Sequence, residues 1–358
     1  MMATAILDPR TMKALQPSHG LWRVYRPGSA RHRFAAKDRR EARGWQRVTR
    51  RALEEAVGFQ DYPTNSMLPR RIEVVDKGDY RREKVLVRDS RYSVMPVYLL
   101  LPERGGGPYP VVLAFHGHGY GVKDIVGLWQ DGEERDTPDG YHRDFAVALC
   151  RRGFAVAAPE ISCFGERQTD FSYLNTKIGQ TAPTSCTHAA MLAFHLGGSV
   201  VGLRAFEGKR LIDYLQTRKD LDVHRLGAMG ISGGGMHTFF STCLDERIKA
   251  CVISGYYCTF RDSILAISHC PCNFIPGLHE FGEMYDLVGL ISPRPLLIEA
   301  GNYDPIFPIR AVRKSVDRAR RIYRLFGAEG SLETDYFEGS HRISGRRAYD
   351  FLAERLLS

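Results

Sequence analysis

Apolar positions in residues 1–41 follow no period, and Arg, Pro and Gly dominate the segment, which predicts an extended arm. A helical rhythm follows. Trp45, Val48, Ala52, Leu53, Ala56 and Val57 recur three to four residues apart, with Arg47, Arg50, Arg51, Glu54 and Glu55 between them, so one apolar stripe should dock on the body. From residue 71 the period shortens to that of strands: RIEVVD, EKVLVR and SVMPVYLLLP are short, branched runs separated by turn residues. Beyond the Gly105-Gly106-Gly107-Pro108 break come continuous apolar runs at 110–116, 154–158, 226–231, 248–253 and 295–299, then 332–337. Such runs suit strands buried on both faces. Helical segments fit 142–152, 188–217, 233–245, 309–327 and 345–357.

Strands alternating with helices predict an α/β fold with a mostly parallel, helix-covered sheet, entered through an antiparallel hairpin. We divide the chain into a basic arm and amphipathic helix, 1–66, and a body, 67–358. Two connections in the body, about 161–187 and about 255–292, are long for a compact unit. Both leave carboxyl ends of strands, the edge where open sheets bind ligands, and they are candidate pocket walls.

Composition changes this picture little; the placement of charge changes it more. The chain of 358 residues has a net charge of +9, yet residues 1–51 hold thirteen Lys/Arg against three acids and the remainder nets −1. A near-neutral body argues against a surface built for phosphate backbones, so nucleic acid is not the expected partner; binding through the arm, or its exchange in a homo-oligomer, are the other uses weighed. No run is long and apolar enough for a membrane span, and no secretory pattern opens the sequence, so the expected location is the cytoplasm without membrane partners. Eight cysteines in a chain this long do not suggest a disulfide framework. His269-Cys270-Pro271-Cys272 is their tightest spacing, but no second cluster accompanies it, and neither a metal nor another cofactor is expected.

Chemistry concentrates in Gly230-Ile231-Ser232-Gly233-Gly234, a G-x-S-x-G between a buried run and a helical one. This is the context of a nucleophile elbow: glycines let the backbone fold sharply beneath Ser232, and the helix start presents the Gly233 amide to a developing oxyanion. A serine hydroxyl needs a base and an orienting acid further along. Among His237, His269, His279 and His341, the last stands in a short loop after the final strand, where a base would meet Ser232. Asp304 emerges after the strand PLLIE at the same edge, with Glu299, Asp286 and Glu338 as weaker candidates. Phe115-His116-Gly117-His118-Gly119, after the first buried run, is suited to supply a second oxyanion amide from His118. Trp129, Tyr256 and Tyr257 are candidate substrate-contacting residues.

The elbow GISGGG, the loop HGHG, Asp304 and His341, in that order over about residues 95–357, resemble the α/β-hydrolase fold. Within it the chain is similar to the dienelactone hydrolase and acetyl xylan esterase branch, through Phe164-Gly-Glu-Arg167, Asp213-Tyr-Leu-Gln-Thr-Arg218, Asn273-Phe-Ile-Pro-Gly277 and Pro293-Arg-Pro-Leu296. The resemblance implies a metal-free serine hydrolase that cleaves a small-molecule carboxylic ester through an acyl-serine. Amide, thioester or carbon–carbon cleavage by the same residues remains the alternative.

Overall fold

The computed structural model describes residues 8–59, 62–174 and 181–357. Its frame is one nine-stranded sheet: β1 (Arg70–Asp76), β2 (Tyr80–Arg88), β3 (Val94–Pro102), β4 (Tyr109–Phe115), β5 (Ala155–Pro159), β6 (Leu221–Ile231), β7 (Ala250–Ser254), β8 (Leu296–Gly301) and β9 (Leu332–Phe337). The order is β1-β2-β3-β5-β4-β6-β7-β8-β9. β1, β2 and β3 pair antiparallel, as do β3 and β5, and every pairing from β5 to β9 is parallel. The strand β6 lies at the centre of the parallel part. Its carboxyl end therefore opens between those of β4 and β7.

Three helices precede the sheet, α1 (Pro9–Ala14), α2 (Pro17–Val24) and α3 (Arg39–Val57). Where the sequence suggests an extended arm, α1 and α2 are short helices, each led by a proline that supplies a helical φ, and neither buries a residue. The remaining helices are α4 (Phe145–Arg151), α5 (Ser185–His195), α6 (Val200–Leu215), α7 (Gly233–Leu244), α8 (Met284–Leu287), α9 (Ile309–Phe326) and α10 (Ala348–Leu356). Side chains alternate along β4: Val112 and Ala114 pack with α4 and α10, whereas Val111, Leu113 and Phe115 pack with the larger layer of α3, α6, α7 and α9. Helices thus cover both faces.

The run 188–217 is two helices, not one. Gly197 takes a left-handed φ of +81°, and the bend lets α6 approach α3 closely: a Cβ on Gly202 would stand 2.1 Å from Val57 O. Ser199 fixes the junction, its hydroxyl donating to Val57 O and capping α6 at Gly202 N.

Candidate active site

Ser232 follows β6 directly and holds φ +57° and ψ −120°, a conformation that L side chains rarely adopt. Packing on both sides enforces it. A Cβ on Gly230 would meet Gly234 O at 2.3 Å, and one on Gly234 would fall 1.9 Å from Phe115 O, so only glycine permits the chain to turn this tightly against β4. Ser232 N donates to Ser254 O at the end of β7, and Met236 N returns to Ser232 O as α7 begins. The hydroxyl is thereby raised above the sheet edge, half-buried, ahead of a helix amino terminus.

His341 lies in the loop between β9 and α10. Its Nδ1 meets Asp304 Oδ2 at 2.7 Å, and since an ionised carboxylate only accepts, Nδ1 carries the proton. The other carboxylate oxygen accepts from the amides of Ile306 and Phe307 at 2.8 and 3.1 Å, which stops Asp304 from turning. Nε2 of His341 is buried and meets no partner in the protein. The ring stacks on Phe307 and fits against Gly255, where a Cβ would press on it at 3.0 Å. Gly255 follows the Ser254 that binds Ser232 N, so Ser232, Asp304 and His341 share one sheet edge.

The rival carboxylates have other partners. Asp286 caps α8 and binds Phe34 N, and Glu338 accepts from Asn302 at the surface. Glu299, fully buried in β8, accepts from Ser254 Oγ and from the amides of Ser344 and Gly345, tying the strand to the His341 loop. Burial pushes its carboxyl from 4.5 up to about 7, although these donors oppose the shift. The folded protein therefore keeps this proton longer than the unfolded chain does. The resulting contribution to stability is full at low pH and is lost as pH rises through about 4.5 to about 7. Glu299→Gln removes the titration, so between about pH 5 and about pH 7 the wild type should lose about 2 kcal/mol relative to the variant. Parallel stability–pH curves for the two proteins would contradict this.

The loop after β4 is braced from beneath. Gly117 N donates to His142 Nε2 at 2.8 Å, which leaves the proton on Nδ1, facing Asp124 Oδ2 at 3.0 Å. Burial holds His142 below its usual range despite that carboxylate. Tyr141 hydroxyl donates to His118 O, and Ile343 N to Tyr141 O, joining this loop to that of His341. Across the elbow, His118 N stands 3.9 Å from where a Cβ on Gly233 would lie. Gly233 N, first in α7, is free of the helix's own ladder. These two amides flank the space in front of Ser232. Asp124 and Tyr141 escaped sequence reasoning because the segment that carries them has no periodicity, and His142 because it stood at the edge of a run read as helix, which in the structure begins at Phe145.

The profile of the Abhydrolase family matches residues 10–347. The chain belongs to the Abhydrolase family. It is 26% identical over 256 residues to YtaP of Bacillus subtilis, assigned as a hydrolase, covering 69% of this chain and 77% of that one. Among solved structures it is similar to a protein of Bacteroides fragilis assigned as an acetyl xylan esterase, with TM-score 0.73, 19% identity and coverage of 90% of this chain and 82% of that one. A glucuronoyl esterase from Solibacter usitatus gives 0.66 at 18% identity, over 89% and 94% of the two chains. The α/β-hydrolase fold is common to them.

Two of the aromatic candidates in this Abhydrolase chain are core residues. Tyr257 is 1% exposed and its hydroxyl donates to Ser315 O of α9, so it offers no open surface. Tyr256 is equally buried, packed against Phe239 and Phe307; it supports Phe307 under His341 and does not form an open wall. Apolar area won over loop position in both cases. Trp129 is 42% exposed and lies under the Arg135 guanidinium. Phe164, against His118, and Phe307 and Tyr141, against His341, border the site.

His116 and His118, two residues apart, diverge. His116 Nε2 accepts from Ile161 N beside Glu160, whereas His118 Nε2 faces Cys272 Sγ at 3.7 Å. Cys186, at the start of α5, and Cys270 join them: the donor atoms of His118, Cys186, Cys270 and Cys272 all lie within 4.8 Å of one another. The spacing His269-Cys270-Pro271-Cys272 thus has a second half, contributed by residues remote in sequence. His269 is not part of it and contacts Asn273 instead.

Proposed function

We propose that this chain is a serine esterase in which Ser232, His341 and Asp304 act as nucleophile, base and orienting acid. The observation that carries the reading is His341, with one ring nitrogen locked on Asp304 and the other buried, unpaired, at the edge where Ser232 is raised in a strained turn. In this reading Nε2 takes the proton of Ser232 Oγ as the oxygen attacks an ester carbonyl. The amides of Gly233 and His118 receive the oxyanion; Nε2 then protonates the leaving alcohol. An acyl-serine remains, and water activated by the same nitrogen releases the acid.

Asp304 holds the imidazole in the tautomer whose Nε2 is a free acceptor, and it stabilises the imidazolium formed in each half-reaction. An ester as the scissile group accords with the solved proteins of like fold, which include an acetyl xylan esterase and a glucuronoyl esterase. Hydrolysis of p-nitrophenyl acetate by the purified full-length chain tests the reading: turnover well above the buffer blank, with an initial burst of p-nitrophenolate if deacylation is slow, supports it. Rates at the blank across a series of short-chain aryl and alkyl esters would count against it.

A further inference from the structure

We propose that His118, Cys186, Cys270 and Cys272 bind one zinc ion that clamps the loop carrying the His118 amide to the start of α5 and to the Cys270–Asn273 turn. Four potential ligands converge from three separate stretches of chain: the loop after β4, the start of α5, and the turn Pro271–Asn273 with the Cys270 that leads it. A tetrahedral zinc with bonds of about 2.3 Å to sulfur and about 2.0 Å to nitrogen separates its ligand atoms by roughly 3.5–3.8 Å. The His118 Nε2 to Cys272 Sγ distance is 3.7 Å, and no pair among the four exceeds 4.8 Å. Small side-chain rotations close the remainder.

The chemistry of the set favours zinc. Three thiolates and an imidazole select a borderline-soft ion of tetrahedral preference over magnesium or calcium, which take oxygen. A disulfide would use two sulfurs and leave the third and the imidazole facing it unexplained; all eight cysteines are thiols in the structure. Cys272 is completely buried and Cys186 nearly so.

The surroundings fit as well. Arg204 is fully buried, pairs with no carboxylate among the described residues, and donates to Ser162 O and, at 3.7 Å, to Cys186 Sγ. Three thiolates around Zn²⁺ carry one net negative charge, which this guanidinium neutralises. Asn273 Nδ2 donates to Cys272 Sγ, the kind of outer contact that orients a thiolate ligand. Each thiol that binds releases its proton to solvent, so affinity rises with pH.

All four positions are taken by protein, so this zinc has no open site for water and its role is structural. Its reach is nevertheless to the chemistry. The other edge of the His118 ring lies against Gly233, with Nδ1 3.1 Å from a Cβ placed there, so fixing Nε2 fixes the His118 backbone across the elbow.

Metal analysis of the full-length chain, purified without chelator, should find about one zinc per chain, falling below about a fifth in Cys186→Ser and in Cys272→Ser. Chain stripped of metal under reducing conditions and given cobalt(II) should develop thiolate-to-cobalt charge transfer and the intense visible bands of a tetrahedral site. This measurement on the unaltered sequence decides the matter even if the variants fail to fold. A cobalt spectrum of the hydrated ion, full zinc retained by both variants, or a native disulfide between cluster cysteines would overturn the site. None of these readouts depends on the esterase reading.

Discussion

Ser232→Ala should lower kcat/KM on a short-chain aryl ester by about 10⁴- to 10⁶-fold while leaving the melting temperature within a few degrees of wild type. The chemical loss is large because alanine removes the attacking oxygen, and the remaining oxyanion amides can only assist attack by water. The fold should survive. The strain at Ser232 is imposed by Gly230 and Gly234 against Phe115 and by backbone bonds to Ser254 and Met236, all of which alanine retains. Activity within about tenfold of wild type would remove Ser232 from the nucleophile's role.

Asp304→Asn should cost about 10³- to 10⁴-fold in kcat near neutral pH, with a much smaller change in KM. The size follows from which oxygen is replaced. Oδ1 accepts from two backbone amides, Ile306 and Phe307, so the amide oxygen of asparagine stays there and its NH₂ turns toward His341. A donor then faces Nδ1, which must become the acceptor. The proton moves to Nε2, the atom that has to receive the proton of Ser232. Because Asp304 acts through His341 and touches no substrate, ground-state binding should be nearly unaffected; a loss confined to KM would contradict the assignment.

Much of this architecture is legible in the sequence, and the failures share a cause. All nine strands overlap runs that the sequence marks as strands, and the central β5, β7 and β8 are buried at every residue because helices cover both faces there, whereas the edge strand β1 is largely exposed. β2 begins earlier than its apolar run, at Tyr80, because Arg82 and Glu83 are buried as ion pairs with Glu134 and with Arg71, Arg81 and Arg218. Along α3 the buried stripe is Ala42, Gln46, Thr49, Leu53 and Val57, and Val48 is exposed. Gln46 belongs inside because its amide satisfies the carbonyls of Gly289 and Ser292. Periodicity sees apolar side chains and is blind to polar ones that find partners in tertiary structure.

The candidate site divides in the same way. Ser232, Gly233, Asp304, His341 and the His118 amide are legible because each needs a particular neighbour in sequence: glycines at the turn, a strand end, a short loop. The His142–Asp124 brace beneath Gly117 and the cluster joining His118 to three cysteines are not. Their members come from separate segments and meet only when the sheet brings those segments to one edge. Tyr256 and Tyr257 err in the opposite direction, since their place after a strand end suggested a wall and their area put them in the core.

The central claim is that Ser232 is a nucleophile activated by His341. Covalent labelling of the full-length chain with a fluorophosphonate, followed by peptide mapping, tests it most directly, because phosphonylation needs the attacking oxygen and its base but no knowledge of the natural substrate. A single adduct is expected on the peptide containing Ser232, formed rapidly in the wild type and slowed by about 10³-fold or more in His341→Ala. An adduct on another residue, or labelling of Ser232 at an unchanged rate without His341, would contradict it.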